Sequence, residues 1–373
     1  MSIENEQLYR FIIDLLRSAL NDEKIENVPN DTDWNEVLKV CKSHMIEDML
    51  YETVEKIDSV PEDVLYKWQK YKFNALVTEK TYDIQRSEIV NAFEKNGFKY
   101  MLLKGSVLKN YYPHPAMRQM ADNDILVELG KLEEITSLLN SLGYESEPFD
   151  SRLHDISFQK SPIAHFEIHY HLVDRDNDRF DYFEKTFDRA EKCENSNFGY
   201  KLKNEDFYIA MVDHFNRHYA RGGCGVRFLT DDYVFLRKFK NSMDWDYVNN
   251  ELVSLELKDF QSVTEELAES LFSGKDLTDR QLFIFSSIME SGTFGGGEAG
   301  TKANAMTFYN GSKFKYLLRK LFPKKSFMKT VYPVLNEKPY LLLFYYFKRM
   351  FGKYKNRKVS LKEYLQKILK IKS

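Results

Sequence analysis

Cysteine is scarce: Cys41, Cys193 and Cys224 are the only three in 373 residues. They are odd in number, widely spaced and not accompanied by histidines at zinc-finger spacing. A disulfide framework is therefore not expected, and a reducing, cytoplasmic setting is. No apolar run approaches the ~20 residues that span a bilayer. The polar, acidic opening MSIENEQLYR lacks the basic and apolar regions of a secretory signal. Gly295-Gly296-Gly297 is followed by no Lys-Ser/Thr and precedes no apolar strand, so it reads as a linker or lid rather than a phosphate loop. His214 and His218 stand one helical turn apart, yet Phe215-Asn216-Arg217 between them supply no glutamate, which removes the metalloprotease arrangement. No aromatic-interleaved RNA motif and no internal repeat is found.

What the sequence does have is charge of opposite sign in different places. The formal net charge is −3. From Thr301 to Ser373, however, nineteen Lys or Arg face only Glu337 and Glu363, so this tail is near +17 and the remainder near −20. The tail suits an anionic neighbour: the acidic body itself, a membrane surface or a phosphorylated polymer. Within it, Tyr340 to Phe347 followed by Lys348-Arg349 reads either as a buried helix or as one lying on a membrane surface.

Periodicity divides the chain into helix, sheet and helix. Leu8, Phe11, Ile12, Leu15 and Leu16 recur at one-sided helical spacing. Asp31 or Asp33 is placed to cap a second helix carrying Trp34 and Leu38. Pro61 begins a third ahead of Val64, Trp68 and Phe73. Ile84 to Asn96 reads as a further helix stopped by Gly97. Strands follow at Phe98–Leu103, Asp124–Val127, Ile156–Gln159 and Ala164–His171, with a helix over Lys131–Ser141. Beyond Phe180 the pattern is helical again. The expected fold is α+β, a small mixed-sheet core flanked by N-terminal and C-terminal helical subdomains. Its expected divisions are 1–92, 93–195, 196–300 and 301–373.

The chain is organised around Phe98 to Val127. A strand delivers Lys104-Gly105-Ser106 to a helix N-terminus, whose unpaired N–H groups suit an anion, and glycine lets backbone approach closely. The next strand opens on Asp122-Asn123-Asp124. Residues two apart share a strand face, so Asp122 and Asp124 can share a divalent cation while Asn123 points away.

Lys104-Gly105-Ser106, Tyr112-Pro113, Arg118, Asp122-x-Asp124, Gly143-Tyr144 and Phe166-Glu167-Ile168-His169 resemble the bacterial uncharacterised nucleotidyltransferases of the nucleotidyltransferase superfamily, with its DNA polymerase beta-like catalytic fold. His214, Gly225-Val226-Arg227 to Asp231, and Ser291 to Gly295 extend the resemblance over positions 90 to 350. Asn123 departs from it, since the residue between the aspartates is usually apolar there. The resemblance implies transfer of a nucleoside monophosphate from an NTP to an acceptor hydroxyl, with Mg2+ or Mn2+ as cofactor. Two cations need three carboxylates, and Glu167, on a neighbouring strand, is the expected third ligand and the acid facing the attacking hydroxyl.

Lys104 and Arg118 are placed either to contact the triphosphate or to orient the aspartates by ion pairing. His169 either gives a ring N–H to a metal-binding carboxylate or is a satisfied half-buried histidine. His214 and His218 are expected in a structural or substrate-lining role near Asp231. The acceptor stays open between sugar phosphate, polysaccharide precursor, tRNA and protein side chain. A glycosyltransferase with its own Asp-x-Asp, and a catalytically silent nucleotide-binding or scaffold protein, are the alternatives.

Overall fold

In the computed structural model, residues 3–149, 153–161, 163–175, 177–221 and 224–293 are described, with 318, 321–323, 325, 328–329, 332 and 334–355 towards the C-terminus. Helix α1 (Ile3–Asn21) buries Phe11, Ile12, Leu15 and Leu16, as its spacing predicts. Asp33 caps α2 (Trp34–His44), accepting from the N–H groups of Asn35 and Glu36 at 3.0 and 3.1 Å. After α3 (Tyr51–Val54) comes α4 (Glu62–Asn96), one unbroken helix of 35 residues where the sequence suggests two. No glycine or proline interrupts it. Its first half buries Val64 and Trp68 among the helices, and its last half buries Ile89 and Phe93 against the sheet. Phe73 and Ile84 fall outside both contacts, 64% and 72% exposed. Gly97, at φ +74°, ends the helix in the left-handed conformation that glycine adopts without strain.

Among the described residues the sheet has seven strands: β1 (Tyr100–Leu102), β2 (Asn123–Val127), β3 (Glu145–Ser146), β4 (Asp155–Lys160), β5 (Ala164–His169), β6 (Ala190–Lys192) and β7 (Gly199–Leu202). Their order is β3-β4-β5-β2-β1-β7-β6. β1 runs parallel to β7 and β2 parallel to β5, and the remaining pairs are antiparallel. β6 and β7 come from the stretch beyond Phe180 that reads as helical, and β7 lies past residue 195. Short helices α5 (Gly105–Leu108), α6 (Leu132–Ser141) and α7 (Phe180–Glu184) lie in the connections.

Alternation gives the sheet two different faces. Ile125, Val127, Ile156, Phe158, Phe166 and Ile168 pack on α4 and α6. Asp124, His165, Glu167, His169 and Asp155 take the positions of opposite parity on the same strands.

Helices α8 (Asn204–Arg221), α9 (Arg227–Phe239), α10 (Trp245–Ser254), α11 (Lys258–Ser273) and α12 (Asp279–Ser291) follow. One hydrophobic cluster joins Ile12, Trp34 and Trp68 to Tyr208, Phe235, Leu267 and Phe285, so the two helical flanks close on each other. Helix Leu342–Lys355 forms, but Tyr340, Leu343, Phe344 and Phe347 stand exposed rather than buried. Gly295–Gly297 and most of the basic tail lie outside the described residues. All three cysteines are free thiols.

The flanks meet at His44. The Val226 N–H donates to its Nδ1 at 3.1 Å, so Nε2 carries the proton toward the Met289 carbonyl at 3.2 Å. A Cβ on Gly225 would lie 2.6 Å from Thr293 Oγ1, so glycine is needed for this approach. Burial pulls the His44 imidazole down to about 4. Its folded-state pKa is thus below the unfolded value of 6.5, and stability present above pH 6.5 is lost as pH falls toward 4, by about 3 kcal/mol. Chemical denaturation across that range is expected to show a shallower pH slope in His44→Gln than in the wild type; equal slopes would reject neutral burial of this ring.

Candidate active site

The Leu103 N–H donates to the Asp124 carbonyl at 3.1 Å, which brings the end of β1 beside the start of β2. The chain then turns at Lys104, whose φ of +46° is rare for a residue with a side chain and costs on the order of 1–3 kcal/mol. That turn accompanies a direct ion pair between the Lys104 ammonium and Asp124. Strained backbone of this kind is concentrated at functional sites.

Register builds the acidic cluster. β2 and β5 run parallel with Asp124 opposite Glu167, and Asp122 lies two residues before Asp124 on the same face. Asp122, His165 and Glu167 each offer an atom within 4.8 Å of the others, and so do Asp124, Glu167 and His169. Glu167 therefore belongs to both sets. His165 was not singled out by the sequence reading; the alternation of His165, Glu167 and His169 along one strand is the signal that points to it.

Charge in the cluster is uneven. Asp122 is pushed up to about 6 by burial and by repulsion from Asp124 and Glu167, against the pull of Lys104 and His165. Burial would also raise Asp124, but Lys104 and the His169 hydrogen bond hold it far below the usual carboxylate range. Glu167, 23% exposed, is likewise opposed by burial yet ends lowered, chiefly through its bond with His169. Three acids against Lys104 and His169, an imidazole that its bonds to Asp124 and Glu167 raise despite burial, leave an excess of negative charge that a cation would relieve. Donor sets dominated by carboxylate oxygens suit a hard divalent ion.

The other expected residues are distributed differently. Ser106 is buried, and its hydroxyl donates to Asn123 Oδ1 at 3.3 Å, on the side of β2 away from the aspartates. Asn123 also accepts from Arg86 Nε at 3.1 Å. Its departure from an apolar residue is thus explained by a buried polar network under the strand. Lys109 continues that network, bonded to Glu79 at 2.9 Å and to Asp83. The closest approach at Gly105 is to Met120, where an added Cβ would sit 3.0 Å from Cγ.

Arg118 is committed elsewhere. Its Nε and Nη2 donate to the two Asp231 oxygens at 2.7 and 2.8 Å, and Nη1 donates to the Gln119 carbonyl at 2.8 Å. Tyr112 OH adds a third bond to Asp231 at 2.7 Å. Asp231 therefore locks the loop before β2 onto α9.

His214 and His218 stack edge to face with ring centres 4.5 Å apart, and both pack on Phe228. Burial, then Lys104, pushes His214 well below its ordinary value, so it is neutral at pH 7. Among the described residues no metal-type cluster includes either. Lys104, Arg118, His214, Arg217, Phe228 and Asp231 line a pocket enclosing about 790 Å³ of empty space, part of it open to solvent; none of the three acids lines it. His214 and Asp231 thus share the wall of one pocket, and His218 is not among its lining residues.

No match is found among curated proteins, and none among solved structures. The sequence model of the uncharacterised nucleotidyltransferase family matches residues 30–273. That span starts earlier than the resemblance read from the motifs and ends before Ser291–Gly295, so it takes in α2 to α4 and stops at the end of α11. With well over half of its length matched, the chain belongs to the uncharacterised nucleotidyltransferase family.

Proposed function

We propose that the protein is a metal-dependent nucleotidyltransferase moving a nucleoside monophosphate from an NTP to an acceptor hydroxyl. The observation that supports this best is the parallel register of β2 and β5, which sets Asp124 beside Glu167 with Asp122 next on the same face. Asp122, Asp124 and Glu167 would hold Mg2+ or Mn2+, which when bound neutralises triphosphate charge and acidifies the acceptor hydroxyl. Lys104 supplies a fixed positive charge at the same place. Glu167, ionised and partly exposed, is the acid assigned to take the hydroxyl proton. The acceptor oxygen bonds to the α-phosphorus as the α–β phosphoanhydride bond breaks, and pyrophosphate leaves with the bonding pair. Ser106 and Arg118 are given no part in this, because Asn123 and Asp231 engage their polar atoms.

The described residues before Phe98 form helices and no strand. That is not the α/β nucleotide-binding unit expected ahead of a glycosyltransferase Asp-x-Asp. The basic C-terminal region favours an anionic acceptor, such as a sugar phosphate or polysaccharide precursor. The test is incubation of the full chain with α-labelled NTPs, Mg2+ or Mn2+ and cell extract. A labelled product and pyrophosphate are expected, both removed by chelation. Calorimetric NTP binding with no pyrophosphate over a wide acceptor panel would instead identify a silent nucleotide-binding protein.

A further inference from the structure

We propose that His154, Asp155 and His169 form a separate binding site for one divalent transition-metal ion of the Zn2+ class. The site adjoins the carboxylate cluster, shares His169 with it and is read out by metal binding, so it does not depend on catalysis.

The placement is set by the sheet. Asp155 on β4 lies directly opposite His169 on β5 in the antiparallel register, and His154 precedes it with its ring centre 5.1 Å from that of His169. One ligand atom from each of the three lies within 4.8 Å of the others.

His169 itself supplies the second observation. Its ring is wholly buried, Nε2 is bonded to Asp124 Oδ1 at 2.6 Å, and Nδ1 has no partner. A ring with one nitrogen on a carboxylate and the other unpaired has the arrangement of a metal-ligating histidine, whose N–H is held by an outer carboxylate. His154 also has one ring nitrogen on a carboxylate, Nδ1 at 2.6 Å from Asp174 Oδ1, with Asp155 Oδ1 3.5 Å from the same nitrogen. The side chains of His154 and Asp155 are 18% and 16% exposed, which leaves the ion a path in from solvent.

Donor chemistry separates this site from its neighbour. Two imidazoles with one carboxylate favour Zn2+, Co2+ or Ni2+ over Mg2+, whereas each neighbouring set has two carboxylates with a single imidazole, His165 or His169. An ion on His169 Nδ1 keeps the proton on Nε2 and so fixes the bond that orients Asp124. His169 is thereby a positioning residue.

Co2+ titration of the chelator-stripped full chain, followed by visible d–d absorption, tests the site. The wild type is expected to show a saturable step of one equivalent. His154→Ala and Asp155→Asn, each checked for folding by circular dichroism, are expected to weaken that step by more than the 10- to 100-fold typical of an outer-shell partner. Asp122→Asn is expected to leave it within about twofold, since it removes a ligand of the neighbouring cluster only. A step unchanged in the folded Asp155→Asn chain, a step lost in Asp122→Asn instead, or no step in the wild type would each overturn the assignment.

Discussion

Asp122→Asn is expected to remove turnover without weakening the fold, whereas Asp124→Asn removes turnover and weakens it. Both changes delete a carboxylate proposed to hold the catalytic cation, so each should lower NTP turnover by about 1,000-fold or more. Their folding effects differ because their surroundings differ. Asp122, raised to about 6, is held ionised at pH 7 against burial and two neighbouring acids. A folded-state pKa about two units above the unfolded one corresponds to on the order of 2–3 kcal/mol of destabilisation. That cost is full above pH 6 and is relieved as pH falls toward 4. The stability advantage of Asp122→Asn should therefore be largest at neutral pH and fade near pH 4.

Asp124 has the opposite sign. Lys104 and His169 stabilise its carboxylate, so its contribution is present above the unfolded pKa and is lost only in acid. Neutralising it leaves a mostly buried ammonium and a buried imidazole without their anion, at a cost of about 3 kcal/mol. Thermal denaturation at pH 7 and pH 4, alongside pyrophosphate release, separates the two variants. Wild-type turnover in either would reject the proposed centre, and an equal loss of stability in both would reject the charge distribution described for it.

The carboxylate cluster was legible because strand alternation is a short-range rule. Asp122-x-Asp124 and His165-x-Glu167-x-His169 carry their facing in their own spacing, and register then brings the two strands together. Other features depend on distant partners. The sequence places Ser106 at a helix N-terminus that suits an anion, and the structure commits its hydroxyl to Asn123, which also holds Arg86 of α4; nothing local to Gly105-Ser106 encodes that. Helix α4 reads as two because its single buried face carries polar Glu79, Gln85 and Arg86 between the helical core and the sheet, while Phe73, Leu76, Val77 and Ile84 stand exposed on the other side.

Strands β6 and β7 are three and four residues long, too short for a period to show. Gly199 was their available signal, since a Cβ there would meet Ser196 Oγ at 2.5 Å and Tyr100 OH at 2.9 Å, a close backbone approach to β1. The His44 junction was equally hidden. Residues near 44, 225 and 292 meet only when both helical flanks have closed.

Arg118→Ala is expected to destabilise the protein by about 3–5 kcal/mol, a large share of the roughly 5–15 kcal/mol that holds a folded protein together. Arg118 and Asp231 are both nearly buried, and their two parallel bonds use the whole edge of the guanidinium. Burial pushes the Tyr112 hydroxyl well above its ordinary value, so it stays protonated and continues to donate to Asp231. Removing Arg118 therefore leaves Asp231 a buried anion with one neutral donor and only the longer-range charge of Arg227 to offset it. Lysine at 118 should recover only part of the loss, because an ammonium cannot reproduce the paired bonds. Replacing both partners by apolar residues of similar size, Arg118→Met with Asp231→Leu, should recover only part of it, because the buried Arg227 then loses the Asp231 anion that supports its charge. Urea unfolding of the three variants measures these differences, and the KM for NTP distinguishes a lock from a triphosphate contact. A stable Arg118→Ala chain whose KM rises more than about tenfold, 1.4 kcal/mol of binding, would show that the guanidinium serves the substrate, and the loop before β2 would then need another anchor to α9.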